Sequence, residues 1–92
     1  MAFLMSKKTV TTSTTAQLVM DLSEINGAND LTFQNIGTSD VFILTDSASN
    51  GTDANCTNKL YAGGSIKYPD NVGSKFYLTA ASGIPIVKIT WK

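Results

Sequence analysis

The chain has 92 residues, with seven lysines against seven acids, no arginine, no histidine, one cysteine and one glutamate. This length makes one small domain that buries roughly 60 to 65% of the surface its unfolded form exposes. The absent imidazole and lone thiol exclude an intramolecular disulfide framework and nearly every zinc, haem, Cys/His or Ser/His/Asp scheme.

The charges are scattered, so no basic stripe forms for phosphates and nucleic acid is not expected as a partner. No run approaches the roughly 20 apolar residues of a membrane span. The expectation is a protein without catalytic groups, metal, cofactor or small-molecule substrate. Cys56, between Asn55 and Thr57, has no local activator and reads as a loop residue.

Residues 1–8 read as an N-terminal arm. Met1-Ala2-Phe3-Leu4-Met5 is apolar without strand alternation, and Lys7 and Lys8 follow it rather than precede it, the wrong order for a signal peptide. The rest, 9–92, reads as one β domain. From Thr9 to Leu22 a Thr-rich approach leads into Ala16, Leu18, Met20 and Leu22 alternating with Gln17, Val19 and Asp21, which places Leu18 and Met20 inward. Ser23 to Asp30 is dense in turn residues, and Gly27 and Asn29 stop any helical turn begun at Ser23-Glu24.

The run Leu31 to Ile36 puts Leu31, Phe33 and Asn35 on one face and Thr32, Gln34 and Ile36 on the other. After Gly37-Thr38-Ser39-Asp40, Val41-Phe42-Ile43-Leu44 has no polar face. These two runs read as a β-hairpin whose second strand needs a cover on both sides. Val41 and Ile43 are assigned to the core, leaving Phe42 and Leu44 for a second layer or a neighbouring subunit.

Asp46 to Asn58 is the longest polar loop. Asp46, Asn50, Gly51 and Asp53 resemble the start of a calcium loop, but Ala48 and Thr57 stand where two ligands belong, so no metal is assigned. Asn50-Gly51-Thr52 and Asn55-Cys56-Thr57 fit the glycosylation pattern only as coincidences of an Asn/Thr-rich loop.

Leu60 to Tyr68 reads as a second hairpin around Gly63-Gly64, and Pro69-Asp70-Asn71 with Gly73 as a turn. Phe76 to Ala80, a turn at Ala81-Ser82-Gly83 and Ile84 to Trp91 read as a third hairpin, with Val87, Ile89 and Trp91 inward and Pro85 at the strand's start or on an edge. Val10, Leu22, Leu60, Ile66, Phe76 and Leu78 complete the expected core. Together these features predict an all-β fold: a small antiparallel β-sandwich of about seven or eight short strands, with Ig-like and jelly-roll connections both open.

Three segments, N-I-G-T-S-D-V-F-I (Asn35 to Ile43), L-Y-A-G-G-S-I (Leu60 to Ile66) and F-Y-L-T-A-A-S-G (Phe76 to Gly83) followed by I-V-K-I-T-W, fall in this order. Over residues 31–92 the chain resembles the small virion β proteins of tailed bacteriophages, among them capsid decoration or cement proteins. The resemblance implies a structural role: a homo-oligomer, typically a trimer, on the outer capsid surface, made in the host cytoplasm and bridging neighbouring subunits of the major capsid protein. It implies no catalytic or cofactor residues. Phe3 and Leu4 on the arm, with Phe42 and Leu44, are the expected contacts. The alternative expectation is a fibre, tail or host-recognition module binding surface glycan through Tyr61, Tyr68, Tyr77 and the loop from Asp46 to Asn58.

Overall fold

Consecutive strands in this protein almost always land in opposite sheets. A computed structural model describes residues 6–22, 30–68 and 75–91, and these form eight strands in two antiparallel sheets. They are β1 (Ser6–Thr11), β2 (Gln17–Asp21), β3 (Leu31–Asn35), β4 (Val41–Thr45), β5 (Asn58–Leu60), β6 (Ser65–Tyr68), β7 (Lys75–Ala80) and β8 (Ile86–Trp91). The first sheet has the order β1-β8-β3-β6 and the second β2-β7-β4-β5. Among the described strands, only β4 and β5 are both sequence neighbours and sheet neighbours. This interleaved order is that of a jelly roll, which decides between the two connection schemes the sequence leaves open.

The three expected hairpins are therefore corrected. Residues 36–40, 61–64 and 81–85 each carry the chain across the sandwich, as arches between sheets, rather than back along a neighbouring strand. Phe33 pairs with Ile66 and Ile89 in the first sheet, while Ile43 pairs with Asn58 and Leu78 in the second. The same Gly, Ser and Asp residues serve either kind of turn. The choice lies in the core: β3 and β4 both present large apolar side chains inward, and facing each other across two sheets buries both sets.

That core is continuous. Phe33, Val41, Ile43, Phe76, Leu78, Val87 and Ile89 have no exposure, and Phe33, Tyr68 and Phe76 form a cluster of rings with centroids 5.3 to 5.9 Å apart. Leu22, Ile66 and Trp91 pack against it partly buried.

Two assignments within strands change. Register slips between Leu18 and Met20 as β2 pairs with β7, a bulge that breaks the alternation. Val19 and Met20 are buried in succession, and Leu18, expected inward, is 46% exposed. Ser6, Lys7 and Lys8, expected within the segment 1–8 ahead of the domain, pair with Trp91, Thr90 and Ile89 and belong to β1. Phe3 and Leu4, the turn over 23–29 and the turn over 69–73 lie outside the described residues.

The expectation that Phe42 and Leu44 lack a cover is corrected as well. Both are buried, at 7% and 3% exposure. The loop 46–57 folds back over the outer face of the second sheet and lays Gly51 on them: a Cβ there would stand 2.5 Å from Phe42 Cβ and 2.8 Å from Leu44 Cδ1. Gly51 N–H donates to Thr79 Oγ1 at 3.0 Å, and Asn50 Oδ1 accepts from Ala16 N–H at 2.8 Å, so the loop is fastened to β7 and to the entry of β2.

Candidate functional site

The four connections β1–β2, β3–β4, β5–β6 and β7–β8 meet at one end of the sandwich, and a buried asparagine holds two of them. Asn35, with no exposure, accepts from Gly37 N–H through Oδ1 at 2.9 Å and donates through Nδ2 to the carbonyls of Ser39 at 2.7 Å and Leu60 at 3.2 Å. Its backbone exchanges bonds with Gly63 N–H and Gly64 C=O at 3.0 and 2.9 Å. One side chain thus shapes the β3–β4 arch and ties it to the β5–β6 arch, with every polar atom satisfied.

A buried threonine does the same for the other pair. Pro85 C=O accepts from both Thr12 N–H (3.0 Å) and Thr12 Oγ1 (2.6 Å), locking the β1–β2 connection to the β7–β8 arch. The β3–β4 arch then lies flat on Pro85. A Cβ on Gly37 would be 2.5 Å from Pro85 Cβ, so only glycine admits this approach. Ile36 N–H donates to Ile86 C=O at 3.0 Å, Ala81 N–H to Asp40 C=O at 2.9 Å, and the Ser39 and Ser82 hydroxyls meet at 3.2 Å.

From this braced end three isoleucines project into solvent: Ile36 at 56%, Ile84 at 69% and Ile86 at 39% exposure. With Gly37, Thr38, Ser39, Gly83 and Pro85 they line a groove of about 310 Å³. No lining residue ionises in the ordinary pH range. The polar side chains of the groove are the hydroxyls of Thr38 and Ser39. It offers apolar surface on a braced frame, and covering what remains exposed of one such side chain is worth roughly 1 to 2 kcal/mol.

Charge sits at a neighbouring corner. Lys59 Nζ is 2.9 Å from Asp53 Oδ1 and 3.8 Å from Asp40 Oδ2, and lies 5.6 and 5.3 Å from the ring centroids of Phe42 and Tyr61. The hydrogen bond that Lys59 donates to Asp53, with the charges of Asp53 and Asp40, outweighs desolvation and raises the Lys59 pKa. These contacts hold the loop 46–57 to β5.

The residues weighed for calcium go to separate partners. Asp46, at φ 55°, accepts from Lys75 N–H at 3.0 Å, Asn50 bonds Ala16, and Asp53 pairs with Lys59. Cys56 is half-buried, with Sγ 3.9 Å from Asp53 C=O.

The three tyrosines do not share a surface. Tyr68 is buried in the ring cluster with its hydroxyl donating to Asn58 Oδ1, Tyr77 is half-buried at a pairing position opposite Leu18 and Leu44, and Tyr61 is exposed on the β5–β6 arch. The aromatic platform expected for glycan is thus not assembled. The loop proposed to join it is occupied in covering Phe42 and Leu44.

The isoleucine rim was within reach of the sequence. Ile36, one residue past β3, continues the parity of Thr32 and Gln34, and Ile86 has the parity of Lys88 and Thr90. An apolar residue in register with solvent-facing polar ones is a signal of contact that a core search discards. No protein-family model matches the chain, and comparison with curated proteins and with solved structures finds no match.

Proposed function

We propose that this protein is a non-enzymatic structural component of a tailed-phage virion, an oligomer that decorates the capsid surface and bridges neighbouring subunits of the major capsid protein. The observation that carries this reading is the cluster of exposed Ile36, Ile84 and Ile86 on an end braced by Asn35, Thr12 and Pro85, with no ionisable residue around it. A rigid apolar patch of this kind suits protein contact rather than chemistry. Support also comes from the resemblance of residues 31–92 to small virion β proteins and from the jelly-roll order, an architecture used in viral capsid and lectin domains. Fold alone does not assign function, so the patch and the resemblance carry the weight. On a symmetric shell each modest contact is repeated, and linked contacts give avidity without one strong site.

The test mixes the purified protein with expanded capsids assembled from the major capsid protein of the same structural gene cluster, then pellets the shells. Co-sedimentation in a fixed, saturable ratio is the expected result. Protein that stays in the supernatant at every shell concentration overturns the reading.

A further inference from the structure

The groove at the arch end has an orientation relative to the N-terminal arm that points to its occupant. Its volume of about 310 Å³ lies at the low end of the range for ligand pockets, roughly 300 to 1,000 Å³. It also lacks the convergent charged groups that orient a small polar ligand. Its rim of isoleucines and its uncharged lining suit the side chains of a short apolar peptide. This chain contains one: Phe3-Leu4-Met5, immediately before β1 and ahead of the first lysine.

The register of β1 says which groove that segment can reach. Ser6 pairs with Trp91 and Thr11 pairs with Ile86, so β1 runs from the far end of the sandwich toward the groove. Ser6, before which residues 3–5 stand in the sequence, therefore lies at the end of the sheet opposite the groove. The five steps from Ser6 to Thr11 cover about 17 Å at ~3.4 Å each. Phe3, three residues before Ser6, extends at most about 11 Å from it. A tight reversal takes up about two residues, which leaves the segment 3–5 too short to span the ~17 Å back to the isoleucine rim of its own chain. A second copy is under no such restriction.

We infer that the Ile36/Ile84/Ile86 groove of one copy receives the Phe3-Leu4-Met5 segment of another, joining copies head to tail. The inference rests on the reading above in taking the groove as a protein contact, and it deepens that reading by naming what fills it. The contact is heterologous: each copy donates at one end and receives at the other, so a fitting rotation closes a ring such as a trimer and any other extends a filament.

The experiment uses the full chain and two variants. One carries Ile36→Ser and Ile84→Ser, changing exposed side chains whose loss leaves the core intact; the other carries Phe3→Ser and Leu4→Ser. Sedimentation velocity over a range of concentrations is expected to show an oligomer for the parent chain and a monomer for each variant. An equimolar mixture of the variants, which has one intact groove and one intact arm, is expected to form a 1:1 dimer and nothing larger. Unchanged circular dichroism of both variants excludes unfolding as the cause. A parent chain that stays monomeric, an oligomer that survives either pair of substitutions, or variants that fail to complement would each overturn the inference. A monomer that still coats shells sinks this inference and leaves the decorating role standing, whereas an oligomer that ignores shells does the reverse.

Discussion

Asn35 Nδ2 and the carbonyl of Leu60 stand 3.2 Å apart across the sandwich, joining the end of β3 in one sheet to the end of β5 in the other. The bond is buried and belongs to a set of three made by one side chain. Replacing Asn35 with leucine keeps the branching of the side chain and strands Gly37 N–H and the Ser39 and Leu60 carbonyls. The expected cost is about 3 kcal/mol, since each buried polar group left unmade costs roughly 1 to 3 kcal/mol. Guanidinium unfolding followed by Trp91 fluorescence measures it, and a loss under about 1 kcal/mol would show that water replaces the side chain.

The loop over the second sheet gives a paired prediction. Gly51→Ala places a methyl group against Phe42 and Leu44, and overpacking of this kind costs about 1 to 3 kcal/mol. Thr79→Val removes the acceptor for Gly51 N–H and costs about 1 kcal/mol. Both loosen the same flap, so their effects are expected to be non-additive in a double-mutant cycle and to raise binding of an apolar dye. Strict additivity would mean that the flap does not move as one piece.

The bulge in β2 separates neighbours that alternation treats the other way round. Leu18→Ser, at an exposed position, is expected to change stability by less than about 0.5 kcal/mol. Val19→Ala, in the core, is expected to cost roughly 1 to 3 kcal/mol. Urea midpoints of the two variants in the opposite order would place the bulge elsewhere.

Tyr68 confers an alkaline limit. Burial pushes its hydroxyl pKa from 10.0 up to about 12, with the negative charge of Cys56 adding to the shift. Below pH 10 the hydroxyl is neutral in folded and unfolded chains alike. Between the two values the unfolded chain has released a proton that the folded one keeps, so stability falls as pH rises through that window. The loss is on the order of 2 kcal/mol. Tyr68→Phe, compared with the parent by urea unfolding at pH 9.5 and 11.5, is expected to lose less over this interval. Equal losses in both proteins would rule out Tyr68 as the source.

Period-two alternation locates the strands and aims Phe33, Ile43, Leu78 and Ile89 into the core, because facing is a local property of extended chain and each strand carries its own record of it. Alternation does not say which sheet a strand joins. Gly37-Thr38-Ser39-Asp40 and Ala81-Ser82-Gly83 suit a hairpin and an arch equally, and what separates the two is Asn35 reaching Leu60 and Gly37 lying on Pro85, partners distant in sequence. The cover over Phe42 and Leu44 is equally silent, since it is made of glycine backbone within a polar loop and has no apolar signature. The isoleucine rim leaves one trace in the pattern: Ile36 is an apolar residue on a wet face, and its meaning depends on Ile84 and Ile86 arriving beside it.

The interleaved strand order has a consequence for how the protein comes into being. β1 has β8 as its one neighbour in the first sheet, and β8 also separates β1 from β3. The first of these strands to leave the ribosome must wait for the last before it has anything to pair with. Topologies dominated by such distant pairings fold on the slower, millisecond-to-second scale of small domains. Ile84 and Ile86 arrive with that same final strand, so the apolar patch they form with Ile36 is the last part of this surface to be completed. A nascent chain therefore lacks that patch as a formed surface until its final pairing is made.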